Sequence, residues 1–173
     1  MKYILFTIIC SLSLSAVLFA QTPQKPCLSA EAKQFDFWVG TWDLEWTDAK
    51  GNKASGTNII NKILDGCVIE ENFSTGGQTP FVGKSNSLFD AASGKWKQTW
   101  VDNGGSYLDL SGEFAGGKMI LWREAISKDG KKLKQRMTFY NITSNEFDWN
   151  WESSDDEGKT WKLLWKINYK RRK

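Results

Sequence analysis

Any chemistry in this chain has to be done without histidine, because its 173 residues contain none. A Ser-His-Asp triad, a His-ligated haem and a His-containing zinc site are therefore excluded within one chain. Carboxylates remain for acid-base work. Glu70 and Glu71 are adjacent, and neighbouring side chains on a strand point to opposite faces, so the two cannot act jointly. Glu113, Glu124 and Glu152 could meet inside a closed sheet and give a two-carboxylate hydrolase, but nothing in their spacing selects them. Neither a metal nor a cofactor is expected. Of the three cysteines, Cys10 lies in an apolar leader and leaves Cys27 and Cys67. Two thiols with no His to complete a metal site read as one disulfide in an oxidising compartment. Closing a loop of roughly forty residues, it would contribute roughly 3 to 4 kcal/mol.

Binding is the other chemistry open to the chain, and its residues are aromatic. Ten Trp is a heavy load for this length. Those that alternate on strands fill a core, yet several strands carry large apolar groups on both faces, as at Met119, Ile120, Leu121 and Trp122. The surplus implies a lined cavity or an outer patch. Polar residues set among aromatics mark ligand contacts, since burying them is costly unless they are paired. On that ground Gln98, between Trp96 and Trp100, and Arg136, which shares a strand face with Thr138 and Tyr140, are candidates. The candidate ligand-binding set is Gln98, Trp100, Arg136, Tyr140 and Trp149. Facing inward, Arg136 would anchor a carboxylate; facing outward, it would join Lys132 and Lys134 in a basic stripe. Trp161 and Trp165 are expected to share one face with Leu163, Ile167 and Tyr169.

The elements that must position these residues start at Phe35. Residues 29–38 combine a Ser cap with helix formers and an acid in the first turn, and predict one short helix ending near Gly40. From Thr41 the period becomes two: Trp42, Leu44 and Trp46 alternate with Asp43, Glu45 and Thr47. Similar runs follow over residues 54–64, 67–73, 82–89, 95–101, 107–114, 118–126, 132–142, 146–152 and 161–169, parted by Gly- and Asp-rich turns. No helical run long enough for a parallel crossover lies between them, so neighbours should pair antiparallel. About ten strands in a meander leave two open edges that closure removes. The expected fold is all-β, a closed antiparallel up-and-down barrel of about ten strands with one short N-terminal helix; a two-sheet sandwich ranks second.

Residues 1–20 have one Lys, an apolar run and a small residue, Ala20, before polar sequence, as a secretory signal peptide does. A membrane anchor is the competing reading, for which the run is only just long enough. Cys10 follows Ile8-Ile9, where a lipid acceptor would follow a small residue. Residues 21–34 form a lead into a barrel domain over 35–173. Loss of residues 1–20 removes Lys2 alone, leaving 22 basic against 20 acidic side chains, a net charge of +2. The basic end, residues 170–173, reads as a solvated tail, and no nucleic-acid partner is implied.

Ser154, Asp156, Gly158, Thr160 and Trp161 fit the Asp-box pattern S-x-D-x-G-x-T-W. The pattern makes a hairpin in which Asp156 accepts backbone N–H groups, Gly158 takes a positive φ and Trp161 packs beneath. It recurs once per blade in sialidases and occurs once here, which reads as structure and not as glycan chemistry.

Gly40-Thr41-Trp42 resembles the Gly-x-Trp that opens the first strand of lipocalins and related calycin barrels. Together with Phe35-Asp36-Phe37-Trp38, Lys95-Trp96-Lys97-Gln98-Thr99-Trp100 and the stretch from Phe147 to Trp161, it looks like a family of secreted bacterial proteins of unassigned activity with a lipocalin-like barrel. The resemblance spans roughly residues 34–172. It implies that Trp42 plugs the closed end under a basic residue of the last strand, for which Lys170 and Arg171 are the nearest. The expectation is a secreted or periplasmic carrier of a small hydrophobic or amphipathic ligand in the bacterial envelope, with no stable membrane span after cleavage. An envelope hydrolase and a barrel filled by its own indoles are the alternatives.

Overall fold

A computed structural model describes residues 26–173; the expected leader, with Cys10, lies outside them. Ten strands hold most of the described residues. They are β1 (Gly40–Thr47), β2 (Lys53–Ile63), β3 (Val68–Ser74), β4 (Val82–Asp90), β5 (Lys95–Asp102), β6 (Tyr107–Ala115), β7 (Lys118–Ile126), β8 (Lys132–Tyr140), β9 (Glu146–Ser154) and β10 (Lys162–Arg171). Each pairs antiparallel with the next, and β10 pairs back onto β1, so the sheet closes into a barrel. Closure leaves no edge strand to be capped. Tight turns such as Gly116-Gly117 between β6 and β7 set the local register.

One alternate row of side chains faces inward on every strand, as a strand's period of two requires. On β1 this row is Trp42, Leu44 and Trp46; on β3 it is Ile69, Glu71 and Phe73; on β8 it is Met137 and Phe139. The end of the barrel where β1 begins is packed shut by aromatic rings. Phe35 and Trp38 stack with centroids 4.8 Å apart, Phe35 meets Phe139 edge-on at 4.9 Å, and Trp42 meets Phe147 edge-on at 4.8 Å.

The expected helix over residues 29–38 is corrected by the structure. In its place stand two 3-10 turns, Glu31–Lys33 and Asp36–Trp38, preceded by a third at Pro26–Leu28. The Ser29 cap is real, its Oγ accepting the Ala32 N–H at 3.2 Å. What breaks the α-helix is the demand that Phe35 and Trp38 enter the barrel side by side. In a 3-10 turn residues three apart eclipse, whereas an α-helix would rotate them about 60° apart. The Cys27–Cys67 disulfide ties this segment to the turn between β2 and β3, across a Cα–Cα distance of 4.8 Å.

The Gly-x-Trp corner explains how the base is locked. Trp42 is fully buried and its indole N–H donates to the Trp38 carbonyl at 2.7 Å. The Arg171 guanidinium lies 4.1 Å over the Trp42 ring, and donates to the carbonyls of Val39 at 2.7 Å and Phe37 at 2.9 Å. Gly40 has φ +136°, and a Cβ there would come within 2.2 Å of Arg171 Nη1. The glycine is therefore required twice, by its backbone and by the guanidinium packed against it. Of the two basic residues considered, Arg171 takes this place, while Lys170 pairs outside with Glu45 at 3.2 Å.

Candidate functional site

The opposite end is open. A cavity of about 520 Å³ runs from the mouth, framed by Phe81, Ser106 and Lys128 in three inter-strand connections, down to Trp38 at the packed base. Its wall is mostly apolar and rich in aromatic rings, with Phe73, Trp100, Trp149, Trp151 and Trp165 among the lining residues. Aromatic rings meet edge-on there, Trp149 and Trp165 at 5.8 Å and Phe73 and Trp165 at 5.8 Å. Trp100 reaches the wall because Gly83, on the paired strand, leaves room: a Cβ at Gly83 would lie 2.1 Å from the Trp100 ring. This size and lining are those of a site for a small, largely apolar molecule.

One acid is set into that wall. Glu71 is 6% exposed, and among the described residues it is the one buried carboxyl. Its inward direction follows from β3, where Ile69 and Phe73 keep the same phase. Asn58 Nδ2 donates to Glu71 Oε1 at 2.6 Å, and Ser85 Oγ donates to Oε2 at 2.6 Å. Asn58 Nδ2 also donates to the Tyr169 hydroxyl at 3.2 Å. Behind Ser85, Gln98 Nε2 donates to Ser87 Oγ at 2.9 Å and to Ser85 Oγ at 3.3 Å. Glu71 and Tyr169 themselves line the cavity.

Among the described residues no Lys or Arg is hydrogen-bonded or ion-paired to Glu71. Burial therefore dominates its titration and pushes the carboxyl up to about 7, against the opposing pull of the hydrogen bonds from Ser85 and Asn58. Burial also raises the Tyr169 phenol, and the Glu71 charge raises it further, so the phenol stays protonated at neutral pH. Two acceptors close to Glu71 are buried without a donor: Asn58 Oδ1 and Gln98 Oε1. The site thus presents a proton-exchanging acid beneath an apolar shaft. Among the described residues no cluster of His, Cys, Asp or Glu could hold a metal.

Of the five candidate ligand residues, three are inside the barrel. Trp100 and Trp149 line the cavity, and Gln98 is buried behind Glu71 without reaching the cavity wall. Arg136 and Tyr140 are not there, because Met137 and Phe139 occupy the inward row of β8. Arg136 Nε donates to Glu152 Oε2 at 2.7 Å on the outer face, and Tyr140 donates its hydroxyl to Asn150 Oδ1 at 3.2 Å. The hypothetical meeting of Glu113, Glu124 and Glu152 does not occur. Glu113 is ion-paired outside with Lys95, Glu152 with Arg136, and Glu124 stands opposite Lys134 on the outer face.

The Asp-box forms as expected. Asp156 accepts the Thr160 N–H at 2.9 Å and its hydroxyl at 2.6 Å, while the Ser154 hydroxyl donates to Asp156 at 2.7 Å. These bonds, the Thr160 hydroxyl foremost, hold the carboxyl far below its usual range. Gly158 has φ +92°, and Trp161 donates to its carbonyl at 3.0 Å. Trp161 does not share the face of Trp165, however. A register shift between Leu163 and Trp165 changes the phase of β10, which leaves Trp161 outside with its ring 4.0 Å below the Arg136 guanidinium.

Glu71 is the residue that sequence reasoning missed. The signal was its phase with Ile69 and Phe73, which turns an adjacent acid pair into one solvated and one buried carboxyl.

Fold and site together define a closed ten-stranded antiparallel barrel with a one-ended, aromatic-lined cavity over a buried acid. The chain matches no protein-family model and no curated protein. Among the described residues, no helix is long and apolar enough to cross a membrane.

Proposed function

We propose that this is a lipocalin-like protein that binds or carries a small hydrophobic or amphipathic molecule inside its barrel, and that it works outside the cytoplasm of a bacterium after removal of residues 1–20. The observation that carries the binding reading is the open cavity of about 520 Å³ with its Trp and Phe wall. A barrel whose only task was architectural would close this volume with side chains, since unfilled apolar space costs stability. The Gly40–Trp42 corner locked by Arg171 supports the lipocalin-like assignment. The apolar run at the start of the sequence and the Cys27–Cys67 bridge support export.

Native mass spectrometry of protein purified without detergent tests the reading, combined with titration of the stripped protein by n-decanol followed through Trp fluorescence. A stoichiometric bound mass, or saturable 1:1 binding that a Leu108→Trp plug in the cavity wall abolishes, is the expected result. No bound mass together with no saturable response would overturn it.

Buried acid chemistry gives a second reading, an enzyme using Glu71 as proton acceptor. The specific observation is a carboxyl pushed up to about 7 beside a cavity, where a general base is most effective at neutral pH. Turnover lost on Glu71→Gln while ligand binding persists is its required result.

A further inference from the structure

Glu71 is a buried carboxyl in contact with the cavity, and among the described residues no cation is paired with it. Its hydrogen-bond donors are one amide and one hydroxyl, both neutral. A carboxylate accepts about four hydrogen bonds, so two donors leave it short. The remaining amide oxygens of this network, Asn58 Oδ1 and Gln98 Oε1, are buried acceptors with no donor among the described residues and so add none for Glu71. With Glu71 ionised, turning the Asn58 amide over would set its oxygen against Glu71 Oε1 at 2.6 Å. An ionised carboxylate in this setting is costly until a positive donor reaches it.

We propose that the natural ligand carries an amine, whose ammonium group pairs with Glu71 while its apolar body lies against Trp100, Trp149 and Trp165. This rests on the reading of the barrel as a small-ligand site and adds the chemistry of the ligand's buried end. An ammonium brings the charge and the surplus donors that the inner wall lacks, and indole faces attract the same cation on its way in. A carboxylate ligand is disfavoured at that depth by repulsion from Glu71 and by acceptor meeting acceptor. An alcohol supplies one donor and no charge. Among the described residues the Trp38 indole N–H is the one buried side-chain donor without a partner, and an ammonium does not answer it.

The groups facing Glu71 leave its ionisation as the controlling event. They are Asn58 on β2, Ser85 on β4, with Gln98 of β5 behind it, and Tyr169 on β10, whose phenol stays neutral. Among the described residues two cations also line the cavity, and both stand toward the mouth: Arg123 in the outer half of β7 and Lys128 in the connection that follows it.

The test is a chain-matched series of n-decylamine, n-decanol and n-decanoate, titrated into stripped wild-type protein and Glu71→Gln at pH 6 and pH 8 and read by Trp fluorescence. Decylamine is a cation throughout, so only Glu71 changes state. With its carboxyl at about 7, the ionised fraction, and with it the affinity for decylamine, rises about tenfold from pH 6 to pH 8. At pH 8 decylamine should bind at least about tenfold tighter than decanol, and Glu71→Gln should erase both that preference and its pH dependence. Equal affinities for amine and alcohol, tightest binding by decanoate, or a preference indifferent to Glu71→Gln would each overturn the proposal. If the variant does not fold, the wild-type pH dependence decides alone. Failure of all three probes to bind would remove the small-ligand reading itself, a result distinct from binding without amine preference.

Discussion

Replacing Glu71 by Gln should make the protein more stable at alkaline pH, and the size of the effect follows from the site. In the folded barrel the carboxyl titrates at about 7, against 4.5 for an ordinary glutamate. Below pH 4.5 both folded and unfolded chains hold the proton, and the acid exerts no pH-dependent effect. Between pH 4.5 and 7 the unfolded chain has released it while the folded chain retains it, so stability falls as pH rises. Above pH 7 both are ionised and the loss is complete. At 1.36 kcal/mol for each pH unit, the loss from this residue is roughly 3 kcal/mol. Glutamine keeps the shape and cannot ionise, so its stability lacks this slope. Urea denaturation of both proteins at pH 4.5, 6, 7 and 8, in ligand-free form, isolates the effect, because every other titrating group cancels in the difference. The difference, variant minus wild type, should climb by roughly 3 kcal/mol and level off above pH 7. A flat difference, or one that falls with pH, would show that Glu71 is either solvated or already compensated by a cation, and would refute the electrostatic reading of the cavity.

The lock at the barrel base predicts that Arg171→Ala lowers stability by about 2 to 4 kcal/mol, because it removes the ring contact with Trp42 and the bonds to Val39 and Phe37; thermal unfolding measures it. Reduction of Cys27–Cys67, or its replacement by two Ser, should cost roughly 3 to 4 kcal/mol by loop-closure entropy, read as a fall in the urea midpoint. Arg136→Ala should leave decanol affinity unchanged, since Arg136 pairs with Glu152 on the outer face; a tenfold loss of binding would place it in the ligand path after all. Gly83→Val should displace the Trp100 ring from the cavity wall and weaken decanol binding, detectable in the same fluorescence titration.

The strands were legible because their signals are local. Trp42, Leu44 and Trp46 declare their phase within five residues, and the turn dipeptides say where each run stops. The Asp-box and the Gly40–Trp42 corner are equally local. What the sequence left open were choices made by distant partners. Arg136 sits between two rows of the same strand, and only the burial of Met137 and Phe139 against the rest of the barrel decides that it faces out. The register shift near Leu163 adds one residue to β10 and reverses the side on which Trp161 lies, and nothing in that stretch marks it. The α-helix expected over residues 29–38 gave way to 3-10 turns because ring packing at the base outweighs the propensity of a ten-residue segment. Glu71 shows the opposite case, a residue whose phase was readable and whose neighbour, Glu70, drew attention to pairing and away from burial.

The account stands on the barrel interior being a binding space, and a crystal soaked with 1-bromooctane tests this directly. Anomalous scattering should give a single dominant bromine peak inside the cavity, within van der Waals distance of Trp100, Trp149 or Trp165. Bromine confined to the outer surface, with the interior occupied by the protein's own side chains, would contradict it.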